Sequence, residues 1–434
     1  MNETVGFIGL GVMILLLAVR VPIGVALISV SFGGIWALIG LPAAVGVLRI
    51  APYNFASNWQ LSSVPVFLFM GFFCFHAGIT RGLFEAARVW LSRLPGGLAI
   101  ASIFGATGFA AITGSSVACA AAMGRIAIPE MLRARYDPAL ATGTVAAAGT
   151  IGALIPPSIL FIVFGILAQQ PINKLFLGGA AAGLLTAVGY ITIVLVWSIL
   201  KPSVAPRVTE TFTLRDRVKT LGAIIPALLL AGAVFGGLFG GIFTPTEAGA
   251  VGSGIAILIS LVMRTFTWEG FKSSIIESFS TSAALFLIAI GANLLTRFVA
   301  LSGAGEALAD MVIQISGHPA LLLIGISLVY LLLGMFLDPI GAMLLTLPIL
   351  LPIAASAGFD MIWFGVIVVK LVEIGMITPP VGLNVFVIKS VIGDAVSLST
   401  IFKGVIIFLI ADFFIVLLLM IFPQIILYLP NLLG

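Results

Sequence analysis

Long apolar runs, punctuated by short clusters of proline, glycine and charge, recur from one end of the chain to the other. Crossing a bilayer takes roughly 20 apolar residues in a helix, and about ten segments reach that length, with shorter apolar stretches between them. The pattern predicts a polytopic, all-α membrane protein. Two of the runs are interrupted in the same way, by Pro156 and Pro157 after Gly152 and by Pro379 and Pro380 after Gly375. A double proline removes two backbone donors and forces the preceding residue out of the α region, so a broken helix is expected at each. Inside a bilayer such a break survives only where protein or a water-filled site satisfies the freed backbone groups. Paired breaks in corresponding places point to the binding site of a secondary transporter.

The correspondence is internal repetition. Shifting the chain by 223 residues places Pro22 on Pro245, Gly82 on Gly305, Pro129 on Pro352, Asp137 on Asp360, and Gly152, Pro156 and Pro157 on Gly375, Pro379 and Pro380. Prolines and glycines dominate because they fix backbone shape, which duplicated halves keep when side chains diverge. The first repeat is read as residues 1–200, with scaffold helices over 1–80, an amphipathic arm over 81–94, a hairpin and broken helix over 97–170 and a last span over 175–199. The second covers 220–434, with scaffold helices over 220–300, an arm over 304–316, a hairpin and broken helix over 320–390 and a last span over 400–425. In the first arm Leu83, Phe84, Ala87, Trp90, Leu91 and Leu94 share one face opposite Arg81, Glu85, Arg88 and Ser92. In the second, Leu308, Met311 and Ile315 oppose Glu306 and Asp310.

Each arm is followed by two apolar limbs around a polar break, at Gly114–Ser116 and at Leu337–Gly341. A re-entrant hairpin is the favoured reading over two full spans, because a polar tip that meets a broken helix at mid-depth builds a site. Each half then crosses an odd number of times, which inverts the second repeat relative to the first. Basic residues concentrate on one side when the N-terminus is placed outside, with Arg49, Lys174 and Arg297 the chief exceptions. The stretch 201–219, with Pro202, Pro206 and five basic residues, is the expected cytoplasmic linker. The N-terminal sequence lacks a basic region and a small-residue cleavage site, so its first apolar run is expected to be a retained helix.

Composition agrees with this picture: 61% of residues are hydrophobic, 8% are charged and the mean hydropathy is +1.28. The net charge of +4 comes from Lys and Arg scattered at helix ends, an orientation signal and no nucleic-acid footprint. Cys74 and Cys119 suggest neither a disulfide nor a metal site, and with only His76 and His318 no catalytic constellation is expected. Enzyme readings fail for lack of residues. What the four polar breaks supply is backbone carbonyls, hydroxyls and half-helix ends, suited to Na⁺ as coupling ion and to a carboxylate solute.

Two cation sites related by the repeat are therefore expected. One draws on Ser115 and Ser116 with the carbonyls around Gly152, Ile155 and Pro156; the other on Gly334, Asp338 and Gly341 with Gly375, Thr378 and Val381. Asp338 aligns with Ser115 and reads either as a functional carboxylate or as a tip cap before Pro339. Lys370 reads either as an intrahelical partner of Glu373 or as a holder of the solute's carboxylate. Ser158 and Asn384, just beyond the breaks, are further solute candidates beside Ser115 and Asp338, as is Arg297, which could equally snorkel. Asp412 stands alone in the last apolar run, facing either a partner or the interior.

The stretches Thr113–Val117, Gly149–Ser158, Leu337–Pro339 and Glu373–Asn384 together resemble the large membrane subunit of the tripartite ATP-independent periplasmic (TRAP) transporters, over essentially the whole chain. That resemblance implies Na⁺-coupled import of an organic acid across the bacterial inner membrane. It implies a small four-helix membrane subunit and a periplasmic solute-binding protein as partners. It also implies an elevator motion, in which hairpins and broken helices move as a block past a scaffold, with the amphipathic segments as connecting arms. Lys370 departs from the family pattern. The residues alone leave open a stand-alone Na⁺-coupled di- or tricarboxylate transporter, and, in a different class, a channel or structural membrane partner.

Overall fold

The computed structural model describes residues 2–206, 212–316 and 318–433, apart from the side chains at 81, 312, 313, 315 and 316. Arg207 of the linker and the side chains of Arg81 and Ile315 on the two arms thus lie outside the described residues. The described residues form helices and their connections. The first half opens with α1 (Asn2–Ala18), α2 (Ile23–Ile39), α3 (Leu41–Ala56) and α4 (Ser63–His76), followed by the amphipathic α5 (Arg81–Leu91). The hairpin is α6 (Gly97–Thr113) and α7 (Ser116–Arg133), the broken helix is α8 (Pro138–Thr150) and α9 (Ile159–Leu167), and α10 (Ile172–Leu200) closes the half.

The second half repeats this order: α11 (Leu214–Phe239), α12 (Pro245–Val262), the 35-residue α13 (Trp268–Ser302) and the amphipathic α14 (Ala304–Ser316). Its hairpin is α15 (Pro319–Phe336) and α16 (Pro339–Ser356), its broken helix α17 (Met361–Gly375) and α18 (Leu383–Ile392), then α19 (Leu398–Ile421) and a short α20 (Gln424–Leu433). Shifted by 223, the bounds of α7 coincide with those of α16, and those of α6 and α8 match α15 and α17 to within one or two residues. Within the scaffold stretch 1–80, residues 22–48 read by composition as one apolar span. Instead, Gly40 adopts φ +90° and Pro42 enters the next helix at its first turn, so the chain stops and restarts as α3. Together α3 and α4 occupy the place of α13 in the second half.

Among the described residues, eight helices are long and apolar enough to cross a membrane, both limbs of the second hairpin included. Packing shows which of these limbs stop partway. The first hairpin's tip lies against the break between α8 and α9, and the second hairpin packs through Gly334 on Gly375, at the end of α17. Each break divides its helix near the middle, so a tip lying on it sits at mid-depth. With both hairpins re-entrant, the crossings per half are odd and the repeats are inverted.

Two groups of helices emerge. In one, α2 packs along α13, and α4 lies between α12 and α13. In the other the halves interlock: α8 packs on α19, α7 on α18, and α10 on both α17 and α19. The α8–α19 crossing is close enough that a side chain at Gly143 would meet the Gly404 backbone, and one at Gly404 the Ala139 carbonyl. Small residues permit such approach where burial of apolar surface from water gives no drive. The arm α5 buries Phe84 and Val89 between α6 and α11, while Trp90 faces outward with the Arg217 guanidinium 5.9 Å from its ring.

Candidate functional site

The first tip is built by capping. Gly114 ends α6 in the left-handed region at φ +60°, and Ser115 caps α7 by accepting a 3.4 Å hydrogen bond from the Ala118 amide. A side chain at Gly114 would strike the Pro157 carbonyl, and one at Gly152 would come within 2.8 Å of the Ser115 carbonyl. Tip and break therefore touch through backbone. All of residues 151–158, including Gly152, Ile155, Pro156 and Ser158, are buried. The Ser158 hydroxyl donates to the Ala153 carbonyl at 2.5 Å and caps α9, restoring partners that the prolines remove.

At the second tip Asp338 takes the capping place of Ser115, accepting from the Gly341 amide at 2.9 Å. Asp338 is exposed. Gly334 and Gly375 approach so closely that a Cβ on Gly375 would lie 2.6 Å from the Gly334 Cα. In the break itself Thr378 donates to the Ile374 carbonyl at 2.7 Å, and Thr378 and Val381 are half-buried. At the first tip Gly152 meets Ser115, and at the second Gly334 meets Gly375 while Asp338 caps Gly341; these groups offer hydroxyl and carbonyl oxygens, the donor type that a hard monovalent cation such as Na⁺ requires. Four half-helix N-termini, those of α7, α9, α16 and α18, open at these tips and breaks.

Lys370 does not pair with Glu373 along the helix. Its ammonium lies 2.5 Å from Asp412 Oδ1 on α19 and 5.6 Å from the ring centre of Tyr190, whose hydroxyl donates to Asp412 Oδ2 at 2.7 Å. Lys370 and Asp412 are both fully buried, so Asp412 faces the interior. Tyr190 on α10 continues the network to Thr150, at the end of α8. Glu373 instead accepts from the Ser116 hydroxyl at 2.6 Å, joining the second broken helix to the first hairpin's tip. Asn384 is fully buried beside Gly149, with its amide nitrogen 3.2 Å from where a Gly149 Cβ would sit.

Arg297 is not brought to either tip. It is exposed near the end of α13 and lines a separate cavity of about 180 Å³ with Asn54, Asn58, Gln169, Asn293 and Thr296. The Asp412–Lys370 pair escaped the sequence reading because its partners lie 42 residues apart on different helices. The available signal was that one lone acid and one lone base in apolar spans leave each other as counter-charge.

Interlocked hairpins and broken helices, with their capped tips meeting inside a helical membrane protein, define a polytopic transport protein. A family model described as "Tripartite ATP-independent periplasmic transporter, DctM component" matches residues 10–425, and the chain belongs to that family. It is similar to the C4-dicarboxylate TRAP transporter large permease protein DctM of Pseudomonas aeruginosa, 34% identical with 83% of this chain and 84% of that protein covered. It is also similar to the sialic acid TRAP transporter large permease protein SiaM of Vibrio cholerae, 33% identical with 96% of each covered. These relatives are transporter permeases, and the chain is a multi-pass permease and no enzyme. In fold it resembles the Alcanivorax borkumensis YdaH transporter, with a TM-score of 0.60 at 14% identity over 88% of this chain and 89% of that one.

Proposed function

We infer that this chain is the permease of a Na⁺-coupled system importing an organic acid across the bacterial inner membrane, with its N-terminus in the periplasm. The observation that carries the reading is the meeting of each capped hairpin tip with a helix break, through Gly152 against Ser115 and Gly375 against Gly334. Ser115 and Ser116 with the carbonyls near Gly152, Ile155 and Pro156 would hold one Na⁺; Gly334, Asp338, Gly341, Gly375, Thr378 and Val381 would hold another. The helix N-termini capped by Ser115 and Ser158 present partial positive charge to a carboxylate, the group shared by C4-dicarboxylates and sialic acid. With Lys370 committed to Asp412, these N-termini rather than its ammonium are the solute's anchors.

The interlocked helices α6–α10 and α15–α20 would move together as an elevator past α1–α4 and α11–α13, with α5 and α14 as the hinged arms. The last spans α10 and α19 travel with the block in this reading, because they pack on the broken helices. A small four-helix membrane subunit would widen the scaffold, and a periplasmic solute-binding protein would deliver the acid. Reconstitution in liposomes with both partners, under an inward Na⁺ gradient, tests the scheme. Uptake is expected only with the binding protein and the gradient together; equal uptake without the binding protein would favour a stand-alone carboxylate transporter.

A further inference from the structure

The geometry points to a further monovalent-cation site, formed by the Glu373 carboxylate with Ser116 and Asn384, where the first hairpin's tip meets the second broken helix. It rests on the Na⁺-coupled reading and adds to it an anionic ligand that neither repeat-related oxygen cage contains, with Ser116 standing between this site and the first cage. Lys370, Glu373 and Asp412 are the fully buried charged side chains among the described residues. The Lys370 ammonium contacts Asp412 at 2.5 Å, so a single buried ammonium faces two buried carboxylates and, among the described residues, Glu373 has no cation in contact with it. A buried carboxylate in that position is costly until a cation joins it.

The neighbouring groups are oxygen-rich and under-used. Glu373 Oε1 accepts from Ser116, while Glu373 Oε2 and both polar atoms of Asn384 are buried without a hydrogen-bond partner. Buried polar atoms in that condition call for an explanation such as a bound ion. Glu373 reaches α7 at Ser116, and Asn384 lies beside Gly149, which packs on α7 one turn further along. Ser116 lies one turn before Ala120, and Ala120 and Asn384 both border Gly149. The backbone N–H of Asn384 donates to the carbonyl of Met376, one turn after Glu373, at 3.0 Å. Among the described residues no group of three His, Cys, Asp or Glu side chains converges, and one carboxylate balances one positive charge, so the ligand is monovalent.

The site ties ion occupancy to contact between the two halves, since Ser116 belongs to one and Glu373 and Asn384 to the other. Thermal unfolding of the full chain in detergent, titrated with NaCl against choline chloride at constant ionic strength, tests it. The wild type is expected to gain stability with Na⁺. Glu373→Gln is expected to unfold at a higher midpoint than wild type in choline, because the unbalanced charge is gone, and its slope of stability against ln[Na⁺] falls by about one ion. Asn384→Ala keeps the charge and raises the Na⁺ concentration needed by about tenfold. A Glu373→Gln protein with the wild-type slope overturns the site, and so does one whose higher midpoint in choline comes with no loss of slope, because a proton then balances Glu373. If wild type shows Na⁺-driven uptake while Glu373→Gln matches it in slope, this site alone falls. If wild type shows neither Na⁺ stabilisation nor Na⁺-driven uptake, the coupling scheme falls with it.

Discussion

The two hairpin tips share a backbone and differ in what surrounds it. At the first, Ser116 is 4% exposed and every residue of the adjoining break from 151 to 158 is buried. At the second, Asp338 and Pro380 are exposed, and Thr378, Pro379 and Val381 are half-buried. Charge is divided just as unevenly. Lys370 and Glu373 align with Ala147 and Thr150 in the first half, so the buried ionic groups belong to the second half, two on its broken helix and Asp412 on α19, and reach the first half through Ser116 and Tyr190. Duplication preserved the capped tip lying on a break. Divergence made one copy a closed cradle with no charged residue of its own and the other an open mouth whose broken helix carries the charge.

Removing the charge from one side of this comparison carries the largest expected effect. Lys370→Met or Asp412→Asn alone strands a buried charge and is expected to cost about 3–5 kcal/mol. The combined substitution removes both and is expected to recover most of that loss, seen as a return of the thermal unfolding midpoint in detergent. Losses that simply add would show that the pair does not act as a unit.

Contact between backbones can be broken at either tip with a single methyl. Gly152→Ala pushes against the Ser115 carbonyl and Gly375→Ala against the Gly334 Cα, overpacking that is expected to cost about 1–3 kcal/mol in either place. The enclosed first tip has nowhere to move, whereas the second can swing outward. Gly152→Ala is therefore expected to lower the unfolding midpoint more. Gly375→Ala is expected instead to speed thiol labelling of a cysteine placed at Asp338. The opposite ranking would mean that the second tip is held as tightly as the first.

How much of this was legible beforehand depends on whether backbone or side chain decided it. Pro156, Pro157, Pro379 and Pro380 announce their breaks because a missing N–H acts locally, and Ser115 and Asp338 announce their caps for the same reason. The hairpins followed from the polar tips, although length and composition alone class both limbs of the second as spans. Gly40 and Pro42 carried the signal for the start of α3, but the surrounding apolar run masked it. Pairings across the fold were another matter. Spacing placed Lys370 one turn from Glu373, and only the packing of α17 on α19 turns it toward Asp412, while α7 supplies Ser116 to Glu373. Arg297 looked like an anion ligand by type, yet α13 holds it in a different cavity.

The smallest expected effect separates the two readings of Asp338. As a cap it accepts from Gly341 at 2.9 Å, a shorter bond than the 3.4 Å one that Ser115 accepts from Ala118. Asp338→Ala is expected to cost about 1 kcal/mol and Ser115→Ala less, while Asp338→Asn keeps an acceptor and stays within about 0.5 kcal/mol of wild type. Stability alone then makes asparagine nearly silent. Na⁺ activation of uptake need not follow the same logic, because at the mouth of the proposed second cage an exposed carboxylate would contribute charge that asparagine lacks. If Asp338 helps hold the ion, Asp338→Asn shifts Na⁺ activation to higher concentration with its unfolding midpoint unmoved. Equal Na⁺ activation in Asp338→Asn and wild type would leave Asp338 a cap, with the second cage built from carbonyls and Thr378.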